Sequence, residues 1–520
     1  MEESLVAENA EKQTTAPDGS SEPFPERIGP LPKRTIALGT LGSVLILLSA
    51  FGAAGILVSD PVLGHGPLSW IRYGHGQMLA TGVIYLGFGL VVWAWVRLGR
   101  HVLAGRVAPG SVLLAAACWM APLVIAPPVF TRDVFSYIAQ GTLPLFGHDP
   151  YSVGPIVLDL QSVVQNVHPF WQTTPAPYGP MFMLLAKGVA WVAGTNMIAG
   201  VVLMRVTLMI GLGLLLWALP GLVRHLGGNL STTLWLAIAG PMTVVHLVGG
   251  PHNDLLMVGF LAAGTLCVLE RKHVVGILLV TLGVAVKATA AIALPFLVWV
   301  WAGHLNSTPV KNFVRAGAAA VGVFVATFAV TTFAAGVSLG WIQALQAPTM
   351  IVNWLSVPTA VGEVVHSVVD LFVNANKSWF VNTTRVLGAL VFIWIAARQW
   401  WQSRAGGSDA VRRMSFVLFA VAVLSPATLP WYLTWGFVIA AALPWQRRQL
   451  AILVSAAVFL VLTYSPAGED LLYNWVFIAC AVAVSVLAGF SLLRVDPLGL
   501  FTDHREDDLV DVGTPTAAKV

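Results

Sequence analysis

"VVGILLVTLGVAVKATAAIALPFLVWVWA" occupies residues 274–302. Lys287 is its only charged residue. A helix needs about 20 apolar residues to span a bilayer. The run therefore reads either as one long crossing or as two short ones that turn near Lys287. A single crossing would place Lys311 and Arg315 on the opposite side from Arg271 and Lys272. Basic residues collect in cytoplasmic loops, so two short crossings with an outer turn at Lys287 are expected.

The rest of the chain follows the same pattern. Of its 520 residues, 57% are hydrophobic and 10% charged, and the mean hydropathy is +0.79. A soluble domain carries about 25% charged residues. Further apolar runs lie at 35–58, 77–96, 110–127, 181–197, 201–219, 233–248, 254–269, 314–336, 381–397, 414–425, 430–445, 450–463 and 474–493. Backbone exposed to lipid must satisfy its own hydrogen bonds, so these runs predict an all-α polytopic membrane protein, a bundle of roughly 13 transmembrane helices. The stretch 181–219 reads as two spans, one of them re-entrant or half-crossing, because two full crossings would leave Arg224, Arg271 and Lys272 outside. The net charge of +4 is spread over loops and implies no nucleic-acid partner. Cys118, Cys267 and Cys480 all lie in apolar runs and read as buried small hydrophobes.

Lysine and arginine concentrate at Lys33/Arg34, Arg97–Arg106, Arg271/Lys272, Lys311/Arg315, Arg398–Arg413 and Arg447/Arg448. Loops 59–76, 128–180, 337–380 and 464–473 are poor in them. The basic loops are thus expected inside and the poor ones outside. The polar tails 1–34 and 494–520 are expected to be disordered and cytoplasmic, flanking a membrane domain over 35–493. The large outer loops 128–180 and 337–380 are longer than connectors need to be, which points to function.

Several candidate site residues map to that outer face. Asp133, in "FTRDVFSY", follows a span; it can serve as a base toward a sugar hydroxyl or pair with its neighbour Arg132. His252 and Asp254 stand in "GGPHNDLLMVG", where Asp254 can also cap the next helix. Lys287, an ionisable residue at membrane depth, is a natural partner for a phosphate. Tyr137, Tyr178 in "HPFWQTTPAPYGP", Trp354 in "VNWLSVPT", and Trp431 and Tyr432 in "LPWYLTW" offer flat faces with polar tips for a sugar. Trp341, Glu363 and His366 lie in the second large loop, which reads as short helices on the outer surface. Together these residues describe a site for a phosphorylated lipid and a carbohydrate.

The segments "FTRDVFSYIAQG", "DPYSVGP", "TTPAPYGP", "GGPHNDLLMVG", "AVKATAAIALPFLVWVW", "NWLSVPT" and "LPWYL" resemble the actinobacterial polyprenyl-phosphomannose-dependent α-(1→6)-mannosyltransferases of the MptA/MptB type. The likeness runs from about residue 35 to 490 and is closer to the type that elongates the mannan backbone. These are GT-C enzymes, which use lipid-phosphate sugars rather than nucleotide sugars. The resemblance implies an essential aspartate in the first outer loop, at Asp133. It also implies inverting transfer of mannose from polyprenyl phosphomannose to the 6-hydroxyl of an α-mannan acceptor. The reaction would build lipomannan and lipoarabinomannan on the outer face of the plasma membrane. Lys287, Arg132 and His252 would face the donor phosphate; Tyr137, Asp254, Tyr178, Trp354, Trp431 and Tyr432 would contact sugar. No cofactor is expected. Arg132 and Val134 flank Asp133 where many GT-C enzymes carry paired acids, which argues against a required metal. The alternatives are a lipid-linked substrate transporter or flippase, which needs paths from both faces, and a GT-C transferase of another sugar such as arabinose.

Overall fold

The computed structural model describes residues 32–346 and 350–494. Most of the two predicted tails therefore falls outside the described residues; Lys33 and Arg34 open the first helix. Among the described residues the α-helices of seven or more residues are α1 (Lys33–Ala53), α2 (Gly74–Leu103), α3 (Pro109–Val124), α4 (Asp133–Thr142), α5 (Pro180–Ala193) and α6 (Met197–Leu226). Next come α7 (Leu230–Ala237), α8 (Asp254–Leu269), α9 (His273–Val286), α10 (Leu294–Gly303), α11 (Pro309–Ala335) and α12 (Val357–Asp370). The last are α13 (Lys377–Gln402), α14 (Gly407–Leu424), α15 (Thr434–Ala440), α16 (Arg447–Val461) and α17 (Trp475–Phe490). Among the described residues there is no sheet, only the isolated bridge between Tyr464 and Asp470.

Local chemistry sets many of the helix ends. Pro109, Pro180 and Pro309 open α3, α5 and α11, where a missing N–H costs nothing. Asn196, Asn229, Ser356, Asn376 and Asn474 accept hydrogen bonds from the first-turn amides of α6, α7, α12, α13 and α17. Where α6 and α8 cross, Gly211 and Gly259 put backbone against backbone, and a Cβ on either would overlap the other helix. Small residues allow this approach where lipid supplies no hydrophobic drive between helices.

Among the described residues five helices are long and apolar enough to cross a membrane, or six if α7 and the π-helical turn 242–249, bent by 44°, count together. Six further apolar helical segments among the described residues are shorter, between 10 and 17 residues. The predicted pair within 181–219 is a 14-residue helix, α5, followed by the continuous 30-residue α6. At 1.5 Å per residue α5 rises only about 21 Å, less than the ~30 Å hydrocarbon core.

Residues 274–302 form a hairpin. Helix α9 ends at Val286, Lys287 is extended, and a 3₁₀ turn leads into α10. The chain returns far enough for His304 Nδ1 to lie 2.8 Å from His273 Nε2. The turn at Lys287 is thus at one end of the molecule and the two histidines at the other.

The other turns sort onto the same two ends. On the histidine end, Arg224 is 3.9 Å from Glu270, and Ser231 Oγ donates to Val107 O. Leu226, Asp409, Arg412, Leu443 and Gln449 share one recess there, and Arg100 Nε donates to Ser491 O. This end carries Arg100, Arg106, Arg224, Arg271, Lys272, Arg412 and Arg447. On the opposite end, turns 52–56, 130–133, 168–178, 287–289, 425–432 and 464–470 surround one cleft.

The three cysteines are free; Cys267 is buried as expected and Cys118 is half-buried. Cys480 departs from the expected burial: it is exposed on α17, where it borders an apolar groove between α2, α16 and α17. A small apolar thiol meets no penalty on a lipid-facing helix.

Candidate active site

The cleft has a volume of about 890 Å³. Asp133 enters it from the first position of α4, where a helix N-terminus favours a carboxylate. The strand of coil leading to it is tightly held. Val129 N donates to Gly249 O, Phe130 N donates to Pro466 O, and Thr131 Oγ1 accepts from Asp133 N. Phe130 adopts φ 63°, a left-handed conformation that costs a bulky residue about 1–3 kcal/mol. Its ring offsets this by stacking on Phe88 at 4.4 Å. The strain thus sits three residues before the candidate catalytic carboxylate.

Asp133 does not pair with Arg132. Its Oδ2 lies 3.4 Å from Nδ1 of His252. Arg132 instead donates through Nη2 to Asn166 O, and its Nε has no hydrogen-bond partner among the described residues. The guanidinium lines the cleft with no carboxylate matched to it. His168, also in the wall, is held below the usual imidazole range by desolvation against the cleft and by the Arg132 charge.

His252 and Asp254 follow the π-helical turn. Arg205, fully buried, closes that turn by donating to Val248 O at 2.9 Å and Gly249 O at 3.0 Å, and to Val124 O at the end of α3. Neither His252 nor Asp254 reaches the cleft surface; both are completely buried. The Asp254 side chain does not cap α8. It accepts two hydrogen bonds from Lys287 Nζ, at 2.8 and 2.9 Å, and a third from Trp435 Nε1 at 2.5 Å. Lys287 remains in the cleft wall, 4.4 Å above the Tyr432 ring, and its charge is already matched.

Seven of the ten candidates line the cleft: Asp133, Arg132, Lys287, Tyr137, Tyr178, Trp431 and Tyr432. Tyr137 and Tyr178 meet edge to face at 5.3 Å, and Tyr432 stacks on Trp435 at 4.3 Å. Trp354 stands outside: its indole donates to Leu472 O and stacks on Trp475. Trp341 packs on Phe328, while Glu363 takes the Lys377 ammonium and the Tyr473 hydroxyl. Sequence reasoning missed Tyr464, Glu469 and Asp470, which form the far wall. Their signal was the base-poor loop "YSPAGED", a tyrosine followed by two adjacent acids. Among the described residues no three His, Cys, Asp or Glu side chains gather as a ligand set for a metal.

Residues 36–303 match the family model described as alpha-(1→6)-mannopyranosyltransferase, N-terminal domain, and residues 358–494 match an MptB C-terminal domain model. The chain is 39% identical to alpha-(1→6)-mannopyranosyltransferase A of Mycobacterium tuberculosis over 88% of this chain and 89% of the relative. It is 31% identical to alpha-(1→6)-mannopyranosyltransferase A of Corynebacterium glutamicum, over 85% and 95% respectively. With alpha-(1→6)-mannopyranosyltransferase B of Corynebacterium glutamicum the identity is 26%, over 88% and 82%. No solved structure matches. Matches to both halves of the membrane domain, and 31–39% identity over most of the length of two relatives, establish that the chain belongs to the α-(1→6)-mannopyranosyltransferase family.

Proposed function

We propose that this membrane mannosyltransferase moves mannose from polyprenyl phosphomannose to the 6-hydroxyl of an α-mannan acceptor, elongating the lipomannan and lipoarabinomannan backbone. The observation that carries the reading is a carboxylate and a guanidinium with no matching carboxylate, Asp133 and Arg132, that line the same aromatic cleft of about 890 Å³. Ligand pockets run from about 300 to 1,000 Å³, so the cleft has room for a sugar phosphate and an acceptor sugar together. The greater identity to the A-type relatives supports elongation of the mannan backbone as the role.

In the reaction, Asp133 accepts the proton of the acceptor O6 as that oxygen attacks the anomeric carbon. The bond from that carbon to the phosphate oxygen breaks, and the electron pair leaves with polyprenyl phosphate. Attack from the face opposite the phosphate converts a β donor into an α product. Arg132 is the best-placed cation for the departing phosphate, because no carboxylate has claimed it; Lys287 adds field from the wall behind its pairing with Asp254. Tyr137, Tyr178, Trp431 and Tyr432 supply the sugar-facing surface. Trp354 is left out of the contact set because it does not line the cleft.

The gathering of arginine and lysine on the end away from the cleft supports a cytoplasmic position for that end. The cleft then opens at the outer face of the plasma membrane, where a lipid-linked donor rather than a nucleotide sugar is the accessible substrate.

General-base help contributes about 10²–10⁴ in rate. Asp133→Asn should lower kcat by that factor while the protein accumulates and purifies normally. The assay follows label from radiolabelled polyprenyl phosphomannose into a short α-(1→6)-mannoside. Near-normal transfer by the variant would remove Asp133 as the base.

A further inference from the structure

We infer that His252 is a positioning residue: it holds the Asp133 carboxylate in register for the acceptor hydroxyl and does not touch the donor phosphate. The inference rests on Asp133 being the base. The imidazole is completely buried behind the cleft wall, so no substrate group reaches it. Its Nδ1 lies 3.4 Å from Asp133 Oδ2, and neither ring nitrogen has a hydrogen-bond partner among the described residues. Leaving a buried polar atom unpaired costs about 1–3 kcal/mol, so this group is held in place for a reason other than stability.

What holds it is also plain. Trp431 lies flat on the imidazole, with centroids 3.6 Å apart and planes 21° from parallel. His246, from the π-helical turn, lies behind at 6.3 Å. The ring therefore cannot tilt toward solvent, and the partner its Nδ1 faces is Asp133. A separation of 3.4 Å exceeds a formed hydrogen bond, which for N–H to O spans about 2.7–3.2 Å. Catalytic hydrogen bonds are commonly long in the empty site and tighten when substrate binds. Donation from Nδ1–H fixes one carboxylate oxygen and leaves the other to meet O6. Trp431 thereby has two roles: it lines the cleft and its ring braces the imidazole.

The test is a double-mutant cycle on the purified full-length protein, with radiolabelled polyprenyl phosphomannose and a short α-(1→6)-mannoside. Misplacing a reacting group by about 1 Å costs roughly 100-fold. His252→Leu should therefore lower kcat by about 10–100-fold with the donor KM unchanged. Once Asp133 is already Asn, adding His252→Leu should slow transfer no further, because His252 acts only through that carboxylate. Two conservative variants cover the case in which His252→Leu does not fold. His252→Asn keeps an N–H near the Nδ1 position and should be the faster; His252→Gln places it near Nε2 and should be the slower. The inference is overturned by a donor KM that rises at constant kcat, which marks a phosphate contact. It is also overturned by a full additional loss in the double variant, or by Asn and Gln variants of equal rate. Near-normal transfer by Asp133→Asn alone would overturn the base assignment and this role with it. A slow Asp133→Asn with an additive His252 effect would overturn this role only.

Discussion

The pair formed by Asp254 and Lys287 gives the sharpest test of how the cleft is built. Asp254 is completely buried and accepts three hydrogen bonds, two from the Lys287 ammonium and one from the Trp435 indole. Asp254→Ala removes all three acceptor contacts at once. It leaves an ammonium whose side chain is only 15% exposed, with the Tyr432 and Trp435 rings as its remaining neighbours. Removing one partner of a buried ion pair costs about 3–5 kcal/mol. The orphaned indole N–H adds about 1–3 kcal/mol if it stays dry. The ammonium borders the cleft and takes up some water, so the lower half of that combined range is expected, about 4–6 kcal/mol. Asp254→Asn keeps an acceptor for Trp435 and should fall between this variant and the wild type. Replacing both partners, Asp254→Leu with Lys287→Met, removes the stranded charge and should recover most of the loss, because apolar substitutes for a buried pair are often neutral. Reversible unfolding in mixed micelles, followed by tryptophan fluorescence, measures all four proteins. Wild-type stability for Asp254→Ala would refute the reasoning, as would a double variant no more stable than the single one. Asp133→Asn, by contrast, should unfold within about 1 kcal/mol of the wild type, since its carboxylate makes a single 3.4 Å contact and faces the cleft.

Phe130 should reverse the usual order of glycine and alanine: with φ at 63°, Phe130→Gly should be more stable than Phe130→Ala by about 1 kcal/mol, both falling below wild type through the lost stack on Phe88. Thermal midpoints of the two variants check this, and equal or opposite order would contradict the strain argument. Arg205→Ala leaves the carbonyls of Val124, Val248 and Gly249 without their buried donor and should cost about 3 kcal/mol or more. Arg205→Lys keeps the charge but lacks the planar fork, so it should recover only part of that loss in the same measurement.

Much of the fold is legible in the sequence. The apolar run 274–302 is long enough for one long crossing or two short ones, and the basic residues beyond it ask for a return. The structure makes that return at Lys287, and His273 and His304 meet at the other end. The same charge pattern anticipated that turns 128–180, 287 and 425–435 share one end of the molecule, and they do. The far wall, Tyr464 to Asp470, was harder to see, because its loop is short and no single residue in it marks a site.

Partner choice within the site was not legible in the sequence. Lys287 reads as a free cation for phosphate and Asp254 as a helix cap, yet they neutralise one another across 33 residues, and Trp435 closes the pair from 181 residues away. Arg132 and Asp133 are neighbours in sequence and read as a possible pair. Their side chains part because Arg132 turns to Asn166 and Asp133 turns to His252.

The physical reason is general to such chains. Composition and run length report how much backbone the bilayer must hide, so the sequence alone determined the class, the hairpin and which turns share an end of the molecule. Helices apolar on every side carry little information about which face meets which neighbour. The choice of which carboxylate answers which cation depends on that rotation, and only the packed tertiary structure decided it.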